Sequence, residues 1–283
     1  MDAVTPRDVD STPVAWRECV PAHGDDETAQ GTTAEVALFL HGLGGSRTAW
    51  DPQLVDLAEA GYRCAAWDMP GYGCSAPPRV PLTFEVLADA CVAWMDAIGA
   101  ESAHVVGLSL GGMVAQHVAL RNPRRVRSLV LIDTSPAFGL DGTTTAESWL
   151  AQRLQPLHEG GTPATMAARV LRSIMAGDVS DDVIADAVAA MSRIPPAGLA
   201  AAVRCLVTHD TRARLHEISA PTLVIVGEHD EETPPAYAAH LAANIAGAHL
   251  EHVAGAGHIS NLEAPAAVNR LLRQFLAQLP PTT

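Results

Sequence analysis

Ser109 lies in Gly107-Leu108-Ser109-Leu110-Gly111, a G-x-S-x-G pattern with Gly112 after it. A serine hydroxyl is a weak nucleophile unless a neighbouring base takes its proton. Small residues on both sides allow a sharp, strained turn that lifts the hydroxyl clear of the chain. A helix opening just past the turn would aim its first backbone N–H groups at the same point. The competing reading is a plain strand–turn–helix carrying a surface serine. The apolar runs His104 to Leu108 and Leu110 to Leu120 supply the strand and helix that the nucleophile reading requires.

The base is expected at His258, in the small-residue loop Gly255-Ala256-Gly257-His258-Ile259-Ser260 near the end of the chain. A histidine there has the freedom to reach the turn. His104 begins a strand, His117 falls inside a helix, and His41 belongs to a different loop. An imidazole base needs a carboxylate to hold its tautomer and to stabilise the imidazolium. Asp230, just after the apolar run Thr222 to Val226, is the expected acid. Glu228, Glu231 and Glu232 are close enough to exchange with it in a register error, and Asp133 is a second candidate. Developing charge on the attacked carbonyl oxygen needs two backbone donors. These are expected to be the amides of Leu110 and of Leu43, in the His41-Gly42-Leu43 loop.

Those groups need a scaffold that alternates strands and helices. Ala34 to Leu40, Tyr62 to Trp67, His104 to Leu108, Val126 to Ile132, Thr222 to Val226 and His249 to Val253 read as strands. Near-continuous apolar strands are buried on both faces, as in a parallel sheet covered by helices. Phe84, Leu87, Cys91, Trp94 and Ile98 make one helical stripe; Val268, Leu271, Leu272, Phe275, Leu276 and Leu279 make another. The fold class is therefore α/β, a doubly wound, mostly parallel sheet. Val14 to Val20 is expected to add an antiparallel edge hairpin with the strand that follows it, His23 to Thr33 being its loop.

Residues 135–215 break the alternation. About four helices are expected there: Thr144 and Glu147 form a capping-box pair before the first, Thr162-Pro163 opens the second, Ser180-Asp181-Asp182 opens the third, and Pro195-Pro196 separates the third from the fourth. We expect an inserted helical cap at 135–215 over a core made of 1–134 and 216–283.

Composition narrows the chemistry. The chain has 283 residues, 48% of them hydrophobic, which suits one core with an insertion. A formal net charge of −14 repels phosphate backbones, so nucleic acid is not an expected partner. All 18 basic residues are arginine, which removes Schiff-base and lysine-nucleophile chemistry. The five cysteines are scattered without a CxxC spacing and are expected to be buried free thiols. No HExxH occurs, and His249 and His252 sit in a strand, so neither a metal nor a cofactor is expected. No apolar run approaches the roughly 20 residues of a membrane span. The opening residues lack a basic then apolar leader, so a cytoplasmic enzyme is the expectation.

Taken together, His41-Gly42-Leu43-Gly44-Gly45-Ser46, Gly107 to Gly112, Gly227-Glu228-His229-Asp230 and Gly257-His258 resemble the α/β-hydrolase superfamily from about Val36 to Leu279. Gly112-Met113-Val114-Ala115-Gln116, Arg125 to Leu131, Ala220-Pro221-Thr222-Leu223 and His258 to Glu263 resemble β-ketoadipate enol-lactone hydrolases. The resemblance implies an α/β-hydrolase fold and hydrolysis of a small-molecule carboxylic ester or lactone, an enol-lactone included, through an acyl-enzyme on Ser109. Carbon–carbon or thioester hydrolysis on the same residues is the alternative, and a catalytically silent ligand receptor a further one. Related dehalogenases and epoxide hydrolases use an aspartate nucleophile. Carbon–carbon hydrolases usually place Trp where this chain has Ile259, and haloperoxidase-like members an aromatic residue where it has Leu43. An enol-lactone carries a carboxylate, which only arginine could pair here. The cap offers Arg153, Arg169, Arg172, Arg193 and Arg204, and one of them is expected to face Ser109. Trp149, Met166, Ile174, Met175, Met191 and Ile194 are candidate pocket residues. The oligomeric state is not legible.

Overall fold

The computed structural model describes residues 5–10, 14–21, 34–177 and 179–280. Its strands are β1 (Arg7–Val9), β2 (Trp16–Cys19), β3 (Val36–Leu40), β4 (Arg63–Trp67), β5 (Ala103–Leu108), β6 (Val126–Ile132), β7 (Thr222–Gly227) and β8 (His249–Val253). They form one eight-stranded sheet in the order β1-β2-β4-β3-β5-β6-β7-β8. From β4 to β8 every pairing is parallel. Each residue of β5 and of β7 is buried, as their near-continuous apolar sequences suggest. β8 lies at the edge, and its His249, Glu251 and His252 are exposed.

The helices are α1 (Asp51–Glu59), α2 (Phe84–Ala97), α3 (Leu110–Arg121), α4 (Ala146–His158), α5 (Pro163–Ile174), α6 (Asp181–Ser192), α7 (Pro196–Leu206), α8 (Pro235–Asn244), α9 (Ser260–Glu263) and α10 (Pro265–Ala277). The stripe expected on α2 is buried at Phe84, Leu87, Cys91 and Trp94. In α10, Val268, Leu272, Phe275 and Leu276 are buried, and Leu271 packs against them half-covered.

Strand order reverses between β3 and β5. The chain runs outward from β3 to β4 and then returns to the far side of β3 as β5. Connections leaving the carboxyl ends of such neighbours diverge and open a crevice. The Leu43 loop follows β3 and Ser109 follows β5, so both stand at this crevice.

Helix α3 lies close to the sheet because glycines let it. A Cβ at Gly111 would overlap the Leu40 carbonyl, and one at Gly107 would overlap the Gly111 carbonyl. A Cβ at Gly112 would stand 2.7 Å from the Thr134 side chain. Forcing a methyl into such a contact costs roughly 1–3 kcal/mol or more. Gly111→Ala is therefore expected to destabilise the protein by about 3 kcal/mol, read as a lower urea midpoint at unchanged slope. An unchanged midpoint would show that helix and sheet are not in contact there.

Three expectations need correction. β2 is antiparallel, but it pairs with β4 and β1 and not with the following strand, because β3 already has β4 and β5 on its two sides. The expected hairpin loop, His23 to Thr33, lies outside the described residues. Helix α4 starts one residue later than the Thr144–Glu147 pair implies: Thr145 is the cap, and its hydroxyl accepts the Ser148 N–H at 3.2 Å. Cys74 is exposed, whereas Cys19, Cys64, Cys91 and Cys205 are buried; all are free thiols. The caps at Thr162, Ser180 and Pro195 stand where the sequence puts them. Among the described residues, the segment between β6 and β7 contributes four helices and no strand to the sheet.

Candidate active site

Ser109 has φ 51° and ψ −118°, a backbone conformation outside the comfortable regions for an L-residue. Neighbouring groups hold it there. Its N–H donates to the Ile132 carbonyl at 2.9 Å, and its carbonyl accepts the Thr134 hydroxyl at 2.7 Å. The strain turns the side chain out of β5 and toward the loop after β8.

That loop brings His258 alongside. The Ser109 hydroxyl donates to His258 Nε2 at 3.0 Å, and Nδ1 donates to the Asp230 carboxylate at 2.9 and 3.0 Å. The Asp230 contact fixes the tautomer, because a proton on Nδ1 leaves Nε2 free to accept. Asp230 is held in turn by the Glu232 and Thr233 amides, each 2.9 Å from Oδ1, and by the Thr233 hydroxyl, 2.8 Å from Oδ2. Burial alone would raise the Asp230 pKa, but the His258 charge and these donors hold it below the ordinary carboxylate value. Burial alone would favour a neutral His258. The Asp230 carboxylate outweighs that effect and pushes the imidazole from 6.5 up to about 9.

The other sequence candidates lie elsewhere. Asp133 has φ 46°, and its buried carboxylate accepts the Gly227 N–H at 2.8 Å and the Ser260 N–H at 2.9 Å. It ties the ends of β6 and β7 to the residues just past His258. Burial, with Asp230 nearby, pushes its pKa up to about 7. Glu228 accepts the Gly255 N–H, and Glu232 pairs with Arg153 at 3.0 Å. His41 accepts the Met69 N–H at Nε2 and donates from Nδ1 to the Gly42 carbonyl, so both ring nitrogens are used in shaping its own loop. Burial lowers that ring's pKa below the ordinary histidine value.

Leu43 lines the same cavity as Ser109 and His258. Leu110 opens α3, so its amide belongs to the first helical turn, whose N–H groups have no partner within the helix. A Cβ on Gly42 would sit 3.1 Å from the Ser109 Cβ, so the loop approaches the serine closely there and a side chain would have to push it back by a few tenths of an ångström.

Glu263 is a residue whose part in this arrangement the sequence did not disclose. Its carboxylate accepts the amides on either side of His258, Gly257 and Ile259, both at 2.9 Å. It also accepts the Ala176 N–H at 2.7 Å, and the His258 N–H donates to the Ile174 carbonyl at 2.9 Å. The histidine loop is thereby bonded to the end of α5. The available signal was a buried loop with amides to satisfy and an acidic residue five positions on.

A cavity of about 420 Å³ opens onto Ser109 and His258. Of the candidate pocket residues, Trp149, Met166, Ile174 and Met191 line it; Met175 and Ile194 do not. A second cavity, about 400 Å³, reaches Ser109 and His258 from the α6 side. Of the cap arginines, Arg153 lines the first cavity and Arg193 the second. Arg153 is already engaged, paired with Glu232 and placed over the Trp149 ring at 5.4 Å.

Residues 36–265 match the profile of the alpha/beta hydrolase fold family. The chain belongs to that family. RutD of Variovorax paradoxus (strain S110), provisionally named a carbamate hydrolase, is 34% identical over 251 residues, covering 87% of this chain and 92% of that protein. The 3-oxoadipate enol-lactonase 2 of Acinetobacter baylyi is 28% identical over 241 residues, 84% of this chain and 87% of that one. The crystal structure of the enol-lactonase from Burkholderia xenovorans LB400 superimposes with a TM-score of 0.82 at 25% identity, covering 96% of this chain and all of that one, 100%. The protein is thus an α/β-hydrolase, and its likeness to enol-lactonases extends over nearly the whole chain. No helix among its described residues is long and apolar enough to cross a membrane.

Proposed function

We propose that this α/β-hydrolase cleaves a small carboxylic ester or lactone through an acyl-enzyme on Ser109, with His258 as base and Asp230 as its partner. The observation that carries the reading is the continuous Ser109–His258–Asp230 hydrogen-bond line, at 3.0 and 2.9 Å. His258 Nε2 takes the hydroxyl proton as Ser109 Oγ attacks the carbonyl carbon. The carbonyl oxygen, now negative, turns toward the Leu43 and Leu110 amides. His258 returns the proton to the leaving oxygen, and the acyl group stays on Ser109. A water, deprotonated by His258, then attacks the acyl carbon, and Ser109 recovers its proton. Asp230 stays ionised throughout and stabilises the imidazolium. In this scheme 135–215 is the cap over a core of 1–134 and 216–283, supported by the four helices between β6 and β7. An enzyme working in the cytoplasm on a diffusible ester fits the same reading.

Mass spectrometry of both products tests it. Hydrolysis of a simple ester is expected to give one acid and one alcohol. Turnover of carbon–carbon substrates with no ester cleavage would move the chemistry to the alternative reaction.

The pH dependence follows from the raised His258 pKa. A base must be unprotonated to accept the serine proton. Because Asp230 shifts His258 upward, the protonated, inactive form persists above pH 6.5. We expect kcat/KM for a neutral ester to rise through one ionisation with a midpoint above 6.5, toward about 9, and to level only above that midpoint. A midpoint below 6, or a flat profile, contradicts His258 as the base.

The enol-lactonase relatives keep lactones in the substrate class, but the charges around the site favour a neutral one. Besides His258, the first cavity sets Asp141, Glu231 and Glu232 against one arginine, Arg153. Of two matched lactones, the neutral one is expected to show the higher kcat/KM than its carboxylate-bearing partner. A preference for the carboxylate that disappears in Arg193→Ala would restore an anionic substrate and place its charge in the second cavity.

A further inference from the structure

The two cavities are unlike, and they meet at the reacting atoms. Both are lined by Ser109 and His258, and Leu43, Val170, Ile174 and Met191 form the waist between them. Each volume, about 420 and about 400 Å³, falls within the range of a complete small-ligand site, roughly 300–1,000 Å³. A compact lactone placed at Ser109 would therefore leave one of them largely unused.

Their walls differ in chemistry. The first cavity has an aromatic side, with Trp149 and Phe138 meeting edge to face at 5.4 Å and Tyr237 also in the lining, next to aliphatic Leu199, Val203 and Leu206, and it carries Asp141, Arg153, Glu231 and Glu232. The second also carries Asp51, Asp186 and Arg193, but it has an aliphatic wall and no aromatic carbocycle: Leu171, Val183, Ala187, Ala190, Ile259 and Leu262. Apolar walls of this kind gain from each methylene they remove from water, about fourfold in binding apiece. Aromatic faces with polar groups beside them suit a ring that carries hydrogen-bonding substituents.

We infer that the substrate is a two-armed ester, an aliphatic chain joined through the scissile carbonyl to an aromatic or polar group. The carbonyl sits at the waist beside Ser109, the chain runs into the cavity under α6, and the aromatic or polar arm lies against Trp149 and Phe138. The inference rests on the reading of Ser109 and His258 as the reacting pair. It replaces a compact ring with an extended molecule as the preferred substrate, and it applies whichever arm is the acyl group.

The test is a matched ester series. Phenyl acetate and phenyl hexanoate share a leaving group and differ only in the acyl chain; methyl benzoate and hexyl benzoate differ only in the alcohol. At least one of the extended members is expected to exceed its short partner at least tenfold in kcat/KM. Ala187→Trp, which fills the second cavity alone, is expected to lower kcat/KM for the favoured extended ester at least tenfold more than for its short partner. Phenyl acetate turnover that is present in the wild type and lost in Ser109→Ala establishes the chemistry independently. If phenyl acetate is cleaved but neither extension gains, the two-armed substrate is wrong and the hydrolase stands. A gain of normal size that Ala187→Trp leaves intact also overturns it, because the chain would not be in that cavity. If no ester in the series is cleaved, the catalytic reading fails and takes this inference with it.

Discussion

Ser109→Ala is expected to lower ester turnover by about 10⁴–10⁶-fold, the loss seen when a serine triad loses its nucleophile. The variant removes the only atom of Ser109 that reaches His258 Nε2, the Oγ at 3.0 Å. It leaves the backbone anchors in place, since Ile132 and Thr134 bond the Ser109 main chain and not its side chain. The urea midpoint should therefore stay close to that of the wild type. The residual rate would come from the backbone donors and substrate binding alone. A purified variant retaining a tenth of wild-type activity would place the nucleophile elsewhere.

Asp230→Asn and Asp133→Asn should separate, each failing in a different way. An amide at position 230 can present its NH₂ to His258 Nδ1, which then holds the wrong tautomer, with the proton on Nε2 facing the serine. The expected loss is on the order of 10⁴ in kcat. At position 133 both carboxylate oxygens accept backbone amides, from Gly227 and Ser260. An asparagine can satisfy one of them and must set its NH₂ against the other. That variant should lose about 1–3 kcal/mol of stability and far less activity than Asp230→Asn. The opposite ranking in activity would make Asp133 the acid.

The parts of the fold that repeat a simple pattern were legible in the sequence. The runs of β5, β6 and β7 are apolar because they are buried on both faces, and their predicted limits differ from the observed ones by at most a residue. Ser109, Asp230 and His258 were legible because each follows a strand at the crevice end of the sheet, in loops whose glycines admit close approach. The N-terminal strand was readable but its partner was not. Pairing is a property of the whole sheet, and nothing local to Val14–Val20 says that β3 has both sides occupied.

The cap shows the same division. Its helix starts are written in local chemistry, as at Thr162 and Ser180. Which faces turn inward is decided by packing between helices, so Met166 and Met175, nine positions apart, could not be separated by type. Whether an arginine is available to a substrate depends on a partner distant in sequence, as Glu232 is from Arg153. Glu263 was equally hidden, because its ligands are backbone amides, and backbone amides carry no sequence signature.

The central claim is that Ser109 becomes covalently bonded during turnover. Treatment with a fluorophosphonate, followed by digestion and mass spectrometry of the peptides, tests it most directly. The predicted result is one adduct per chain, on the peptide containing Ser109, forming more slowly in His258→Ala and absent in Ser109→Ala. An adduct on another residue, or an active wild-type enzyme that the reagent neither labels nor inhibits, would contradict the account.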